Sequence, residues 1–217
     1  MVREDFDRNL RQLQGDLLTM GSMVEKSISR SIDALKRRDL EASQEVIDGD
    51  DYIDQKRYEI EERCINLIAT QQPLASDLRS LISILHISVE LERMGDYAEG
   101  IAKISVSMGN EPPLKPLIDI PRMGDMASDM LRRSLDSLVN RDVVAATAVC
   151  NYDDRVDELY QQVYRELITF MLEDHRMITR ATFLLWVAHD LERIADRATN
   201  IAERVIYVVT GKMIEIN

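Results

Sequence analysis

Apolar residues recur every three or four positions along most of the chain, and this period predicts amphipathic α-helices. The clearest case runs through Val46, Ile53, Ile60 and Leu67, which stand two helical turns apart. No window shows the strict alternation of apolar and polar residues expected of a half-buried strand. The pattern therefore predicts an all-α fold.

Three long helices are predicted in the first half. The first runs over roughly 5–38, the second follows Asp39 and ends at Gln71-Gln72-Pro73, and the third runs over about 73–108. Basic residues at 36–38 favour the end of the first helix, and Asp39 is typical of the N-cap that begins the second. Apolar positions spaced four, three and four residues apart mark the face of the third helix that we expect to pack inward: Leu78, Ile82, Leu85 and Val89.

The second half repeats the pattern of the first at a fixed offset. Met20-Gly21 has its counterpart in Met123-Gly124, and each glycine lies mid-helix, where it costs about 0.5 to 1 kcal/mol relative to alanine. Both halves accept this cost at the same place, so we expect close helix contacts there. Trp186 and Phe183 are predicted to belong to the core of the second half.

A proline-rich segment separates the two halves. Residues 110–116 hold three of the five prolines, and such a run ends one helix and spaces it from the next. We place the domain boundary there, with one three-helix bundle in residues 1–109 and another in residues 117–217. The predicted architecture is a tandem repeat of two three-helix bundles, six long helices in all, related by a pseudo-two-fold axis.

Pairs of acidic residues four positions apart mark both halves. On a helix, this spacing places both carboxylates on one face. Each half has two such pairs: Asp50 with Asp54 and Glu92 with Asp96, then Asp153 with Asp157 and Glu192 with Asp196. If the second and third helices of a half are antiparallel neighbours, its two pairs meet in one patch of four carboxylates.

Four ionised carboxylates in a partly buried patch require neutralisation. Arg57, Arg93 and Arg193 are near enough in sequence to pair with them, which would make the patches purely structural. The duplication and the oxygen-only ligand set favour metal ions instead, such as Fe(III), Mn, Mg or Ca, with zinc also accommodated. His189 shares the helix face of Glu192 and is a candidate extra ligand.

Catalytic motifs are missing from the sequence. The Glu-x-x-His pairs of di-iron bundles, glycine-rich phosphate loops and nucleophile elbows do not occur, so an enzyme is not expected. The net charge of −12 disfavours nucleic acid and anionic membranes as partners. Cys64 and Cys150 have no metal-binding spacing and are predicted to pack in the core. With no signal-peptide pattern and no apolar stretch approaching about 18 residues, a soluble, cytoplasmic protein is expected.

These motifs, in this order and in duplicate, make the chain resemble the PhoU family of phosphate-uptake regulators over essentially its whole length. The resemblance is carried by five segments, in residues 6–21, 46–50, 71–79, 91–96 and 191–196. It implies two similar three-helix bundles and metal sites, with multinuclear iron or zinc, or Mn or Mg, held by the eight acids named above. Asn200 matches a family position for a supporting ligand. Gly100 stands at the corresponding place in the first half, so the first site is expected to be weaker or differently loaded.

The resemblance also implies a role as a negative regulator of the phosphate-starvation response. Such an adaptor would couple the ATPase subunit of the phosphate ABC transporter to a sensor histidine kinase, and would reach the membrane only through these partners. The oligomeric state is left open, with a homodimer among the options. The alternative hypotheses are a metal-dependent enzyme or metal store with a carboxylate-bridged cluster, and a structural module whose acids pair with arginines.

Overall fold

The computed structural model describes residues 2–213, so the predicted domain limits at residues 1 and 217 lie outside the described residues. Within this range the regular structure is helical, which confirms the predicted all-α fold. The elements are α1 (Val2–Arg37), α2 (Leu40–Gln71), α3 (Ala75–Met108), α4 (Asp119–Asn140), α5 (Val143–Cys150), α6 (Asp153–Glu173), a short 3₁₀ turn (His175–Met177) and α7 (Ile178–Thr210).

The turn after the first helix is built in the same way in both repeats. The Asp39 carboxylate accepts a hydrogen bond from the Ala42 amide at 3.0 Å, and the Asp142 carboxylate accepts one from the Ala145 amide at 3.0 Å. Each aspartate thereby satisfies an amide at the helix start that has no partner within the helix. The preceding residue takes a left-handed backbone conformation in both copies, which ends α1 and α4 sharply.

The second helix of the second repeat is interrupted by a short turn, a detail within the predicted six-helix architecture. Residues 151 and 152 form a turn between α5 and α6. The Tyr152 amide donates to the Val149 carbonyl at 3.0 Å, and the Arg155 amide donates to the Tyr152 carbonyl at 3.1 Å. These three-residue spacings tighten the backbone locally. As a result Asp153 begins α6, whereas its counterpart Asp50 lies inside α2.

The repeats pack against each other along α3 and α7, and also along α1 and α4. α3 and α7 run antiparallel, since Glu90 contacts Asn200 while Gly100 lies beside Asp190. Each repeat adds its second helix to the outside of this pair. Among the described residues, every helix falls short of the apolar length that a membrane span requires.

The mid-helix glycines are where α1 meets α4. A Cβ at Gly21 would overlap Leu135, and a Cβ at Gly124 would overlap Ile32. Each glycine of one repeat therefore accepts a branched apolar side chain of the other. The predicted close helix contact is confirmed, and it lies between the two repeats.

The inward face of α3 differs from the predicted one. Leu78 and Ile82 are 39% and 36% exposed, whereas Leu81 and Leu91 are fully buried. Trp186, predicted to be in the core, is 52% exposed on α7. Both sides of α3 carry apolar residues, so the apolar period alone does not identify the buried side. The acids that continue the predicted stripe therefore lie on the outer face.

Candidate functional site

The first acid patch forms where α2 packs on α3. Asp50 and Asp54 project from α2 and Asp96 from α3, and one carboxylate oxygen of each lies within 4.8 Å of the others. Gly95 permits this approach, because a Cβ there would lie 3.0 Å from Asp50 Oδ1 and 3.1 Å from Ile53 Cδ1. The structure thus brings three of the four predicted acids of this half together.

Burial and mutual repulsion make these carboxylates hard to ionise. Burial raises the pKa of Asp50 to about 7, and the negative charges of Asp96 and Glu99 add to the rise, while Lys103 opposes it. The pKa values of Glu92 and Asp96 are also raised, first by burial and then by neighbouring carboxylates. In the absence of an external cation, the first patch holds protons at a pH where exposed carboxylates have lost them.

Two oxygens in this patch lack any partner. Asp50 Oδ1 and Asp54 Oδ1 are both buried, and neither has a hydrogen-bond partner among the residues that the structure describes. A buried acceptor without a donor costs about 1–3 kcal/mol. Oxygen atoms in this number and at this separation are the donors that hard cations prefer, so the residues fit a metal ion.

Glu92 lies at the edge of the first patch and has an internal counter-charge. Its Oε1 is 3.6 Å from Arg57 Nε, and Arg57 also contacts Glu61 at 2.9 Å. For Glu92, the structure therefore agrees with the alternative considered from the sequence, in which an arginine neutralises the acid.

The second acid patch lies between α6 and α7 and consists of Asp153, Asp157, Glu192 and Asp196. Among the described residues, only the first patch brings oxygens of three acids within 4.8 Å of one another. Burial raises the pKa of Asp153 to about 7, and the charges of Asp196 and Asp157 add to it. Asp153 Oδ1 is buried and without a hydrogen-bond partner in the described chain. Burial also raises the pKa of Asp157, with the charge of Glu192 as the next cause. The four predicted acids of this half are therefore close enough to repel one another.

An arginine occupies the second patch. Arg193 contacts both carboxylate oxygens of Glu192, and its Nη1 lies 2.7 Å from Asp196 Oδ2. Its counterpart in the first repeat, Arg93, pairs instead with Glu90 at 3.8 Å. The sequence placed both arginines near the acids but gave no sign of this difference.

The two supporting candidates contact residues outside the patch. The Asn200 amide donates to Glu90 Oε2 of α3 at 3.2 Å, and His189 Nδ1 lies 3.6 Å from Asp190 Oδ1. Arg197 also reaches Glu90, at 3.3 Å. Sequence reasoning missed this group, because its members come from different repeats and meet only through the antiparallel contact of α3 and α7.

Comparison with known proteins gives consistent matches over both repeats. The PhoU domain model matches residues 17–105 and 120–205. A phosphate-specific transport system accessory protein PhoU homolog from Clostridium acetobutylicum is 40% identical over 218 residues, covering 100% of both chains. A homolog of the same description from Aquifex aeolicus is 42% identical over 208 residues, covering 96% of this chain and 94% of the relative.

Solved structures match the fold equally well. The crystal structure of PhoU from Pseudomonas aeruginosa superposes with a TM-score of 0.91 at 38% identity, covering 95% of this chain and 100% of that one. The phosphate transport system regulatory protein PhoU from Streptococcus pneumoniae gives a TM-score of 0.90 at 31% identity, covering 97% and 99%. The Clostridium, Aquifex and Streptococcus relatives are described as accessory or regulatory proteins of phosphate transport. With both repeats matched by the family model, and with relatives aligned from end to end, the chain belongs to the PhoU family.

Proposed function

We propose that this protein is an accessory regulator of phosphate uptake, acting on the cytoplasmic side of the membrane. In this role it couples the ATPase subunit of the phosphate ABC transporter to a sensor histidine kinase and restrains the phosphate-starvation response when phosphate is plentiful. The observation that carries the proposal is end-to-end similarity to phosphate-specific transport system accessory proteins. An all-helical protein with two charged patches of carboxylates and arginines is suited to bind partner proteins, as an adaptor does.

We further propose that the acid patches hold metal ions. Asp50, Asp54 and Asp96 would hold the ion of the first repeat, with Glu92 at its edge. A bound iron, zinc, manganese or magnesium ion would supply positive charge and fixed coordination, which neutralise the patch. Support comes from the three oxygens within 4.8 Å of one another and from the buried Asp50 and Asp54 oxygens without partners.

The ligands of the second repeat would be Asp153, Asp157, Glu192 and Asp196. Neutralising these acids removes their mutual repulsion and fixes the helix surface on which they lie. Asp96 of the first patch and Asp157 of the second are exposed. A loaded patch would therefore present a surface of altered charge to a partner protein.

The regulatory role is tested by complementation. The gene for this chain is expressed in a bacterium that lacks its own PhoU family member, and a phosphate-responsive reporter is measured in high phosphate. The expected result is restored repression. Purified chain should also capture the cognate transporter ATPase subunit or the kinase in a pull-down. Unrepressed reporter together with failure to capture either partner would contradict the proposed function.

The metal role is tested with two double variants of α2, one within the first patch and one at exposed control positions. Asp50→Asn with Asp54→Asn should lower metal content, measured by elemental analysis of purified protein. Asp48→Asn with Asp51→Asn makes the same change in charge at two exposed positions of α2 and should leave metal content unchanged. Equal metal content in both double variants would rule out the first patch as a metal site.

A further inference from the structure

The two acid patches differ in the positive side chains that neutralise their carboxylates. The difference lies in one arginine, Arg193, which contacts the acids of the second patch. We propose that Arg193 is an internal counter-cation of the second patch that a metal ion must displace, so that the first patch binds metal before the second. This inference rests on the proposed metal role of the patches. It concerns the order of loading and the residue that sets it.

Arg193 uses two of the four carboxylates in its patch. It contacts both oxygens of Glu192 and one oxygen of Asp196. Glu192 is only 9% exposed, and a buried carboxylate without a partner is costly. A cation that binds Glu192 or Asp196 therefore competes with a guanidinium that is already in place.

In the first repeat the equivalent arginine pairs with a residue outside the patch, although its charge still lowers the pKa of Glu92 and Asp96. Arg93 is paired with Glu90, three residues earlier on the same face of α3, with its Nη1 3.8 Å from Glu90 Oε1. In the second repeat the residue at this position is Asp190, whose side chain is one methylene shorter. Asp190 lies beside His189 and next to Gly100 of α3.

No arginine or lysine forms a salt bridge with Asp50, Asp54 or Asp96 within the described chain. Their oxygens converge within 4.8 Å, and two of them are buried without a donor. The first patch thus offers ligands that no internal ion pair competes for. From the sequence, Gly100 in place of Asn predicted a weaker first site, whereas the placement of the arginines favours the opposite order.

Displacement of Arg193 is sterically feasible. Its side chain is 34% exposed, so the guanidinium can move into water without crossing the core. Once it moves, Glu192 and Asp196 are free to join Asp153 and Asp157 around an ion. The cost of this movement lowers the affinity of the second patch relative to the first.

The test is a titration of the full-length, metal-free protein with Zn²⁺, in which isothermal titration calorimetry measures binding. Wild type should show a tighter and a weaker class of sites, and Asp50→Asn with Asp54→Asn should remove the tighter class. Arg193→Met keeps the aliphatic stem but removes the charge. It should strengthen the weaker class about tenfold, the effect of losing a charge-assisted contact of about 1.4 kcal/mol. Arg93→Met is the matched control and should change both classes less than about twofold.

Arg193→Lys serves as a second variant if Arg193→Met folds poorly by circular dichroism. Lysine is a point charge that contacts one carboxylate better than two, so it should strengthen the weaker class by a smaller factor. Two classes in wild type with the weaker class unchanged by Arg193→Met and Arg193→Lys would overturn the inference and leave the metal sites standing. Loss of the weaker class in the Asp50 and Asp54 double variant would overturn the loading order. Failure of wild type to bind Zn²⁺ would overturn both the inference and the proposed metal role.

Discussion

Replacing Asp50 by asparagine should stabilise the metal-free protein, although the change removes an ionisable group from a partly exposed helix position. Burial, followed by the charges of Asp96 and Glu99, raises the pKa of this carboxyl to about 7 from 3.8. The folded state therefore keeps a proton that the unfolded state has lost between these two pH values. Ionisation of Asp50 therefore leaves the free energy of unfolding unchanged below pH 3.8 and lowers it as the pH rises towards 7. Between these values only the unfolded chain has released the proton.

The size of the effect follows from the pKa shift. A rise from 3.8 to about 7 is equivalent to about 4 kcal/mol. Asp50 is partly exposed, and solvent screening reduces this to about 2 kcal/mol. Asparagine is close to aspartate in size and helix propensity, so Asp50→Asn should recover most of that amount above pH 7. For a chain of 217 residues, this raises Tm by about 4 to 8 °C.

Thermal unfolding followed by circular dichroism in a chelator at pH 8 and pH 5 measures the effect. The gain in Tm from Asp50→Asn should be less than half as large at pH 5, where the native carboxyl still carries its proton. Asp51→Asn, one residue away and exposed, is the control and should change Tm little at either pH. A Tm for Asp50→Asn equal to or below that of wild type at pH 8 would show that the patch is not strained in the absence of metal.

Three further predictions concern packing and the interface between repeats. Gly124→Ala should destabilise by about 1–3 kcal/mol in urea unfolding, because its methyl overlaps Ile32, and Ile32→Ala in the same chain should restore part of the loss. Asn200→Ala should cost about 1–2 kcal/mol but almost nothing in a Glu90→Ala background, because its amide donates to that carboxylate; equal costs in both backgrounds would contradict this. Burial raises the pKa of the Cys64 thiol to about 12, so it should react with a thiol reagent at pH 8 only after unfolding.

Helix boundaries were largely predictable because they depend on local chemistry. Asp39 begins α2 by accepting a hydrogen bond from an amide in the first turn, and Pro73 prevents α2 from continuing. Both residues act through neighbours within a few positions. The predicted N-cap at Asp39 and the predicted end at Gln71-Gln72-Pro73 therefore agree with the observed helix, Leu40–Gln71.

Burial of α3 and the partner of Arg193 depend on residues far away in sequence. Leu78 and Leu81 are equally apolar, and only the positions of α1, α2 and α7 around α3 decide that Leu81 is buried. The break before Asp153 likewise leaves the apolar period of α5 and α6 in place, so periodicity gave no sign of it. Arg193 pairs with Glu192 and Asp196 whereas Arg93 pairs with Glu90, although both arginines have an acid three residues earlier, so the local sequence did not predict the difference.

The interface between the repeats connects their acid patches through charge. Glu90 lies two residues before Glu92 of the first patch, and it accepts contacts from Arg197, which follows Asp196 of the second patch. Glu90 also pairs with Arg93 of its own helix. One glutamate therefore pairs with an arginine of its own repeat and ties the last ligand-bearing turn of the other repeat to α3. Because Asp190 is too short and differently paired to repeat this arrangement, the duplicated sequence produces two patches of unequal character from nearly identical acid pairs.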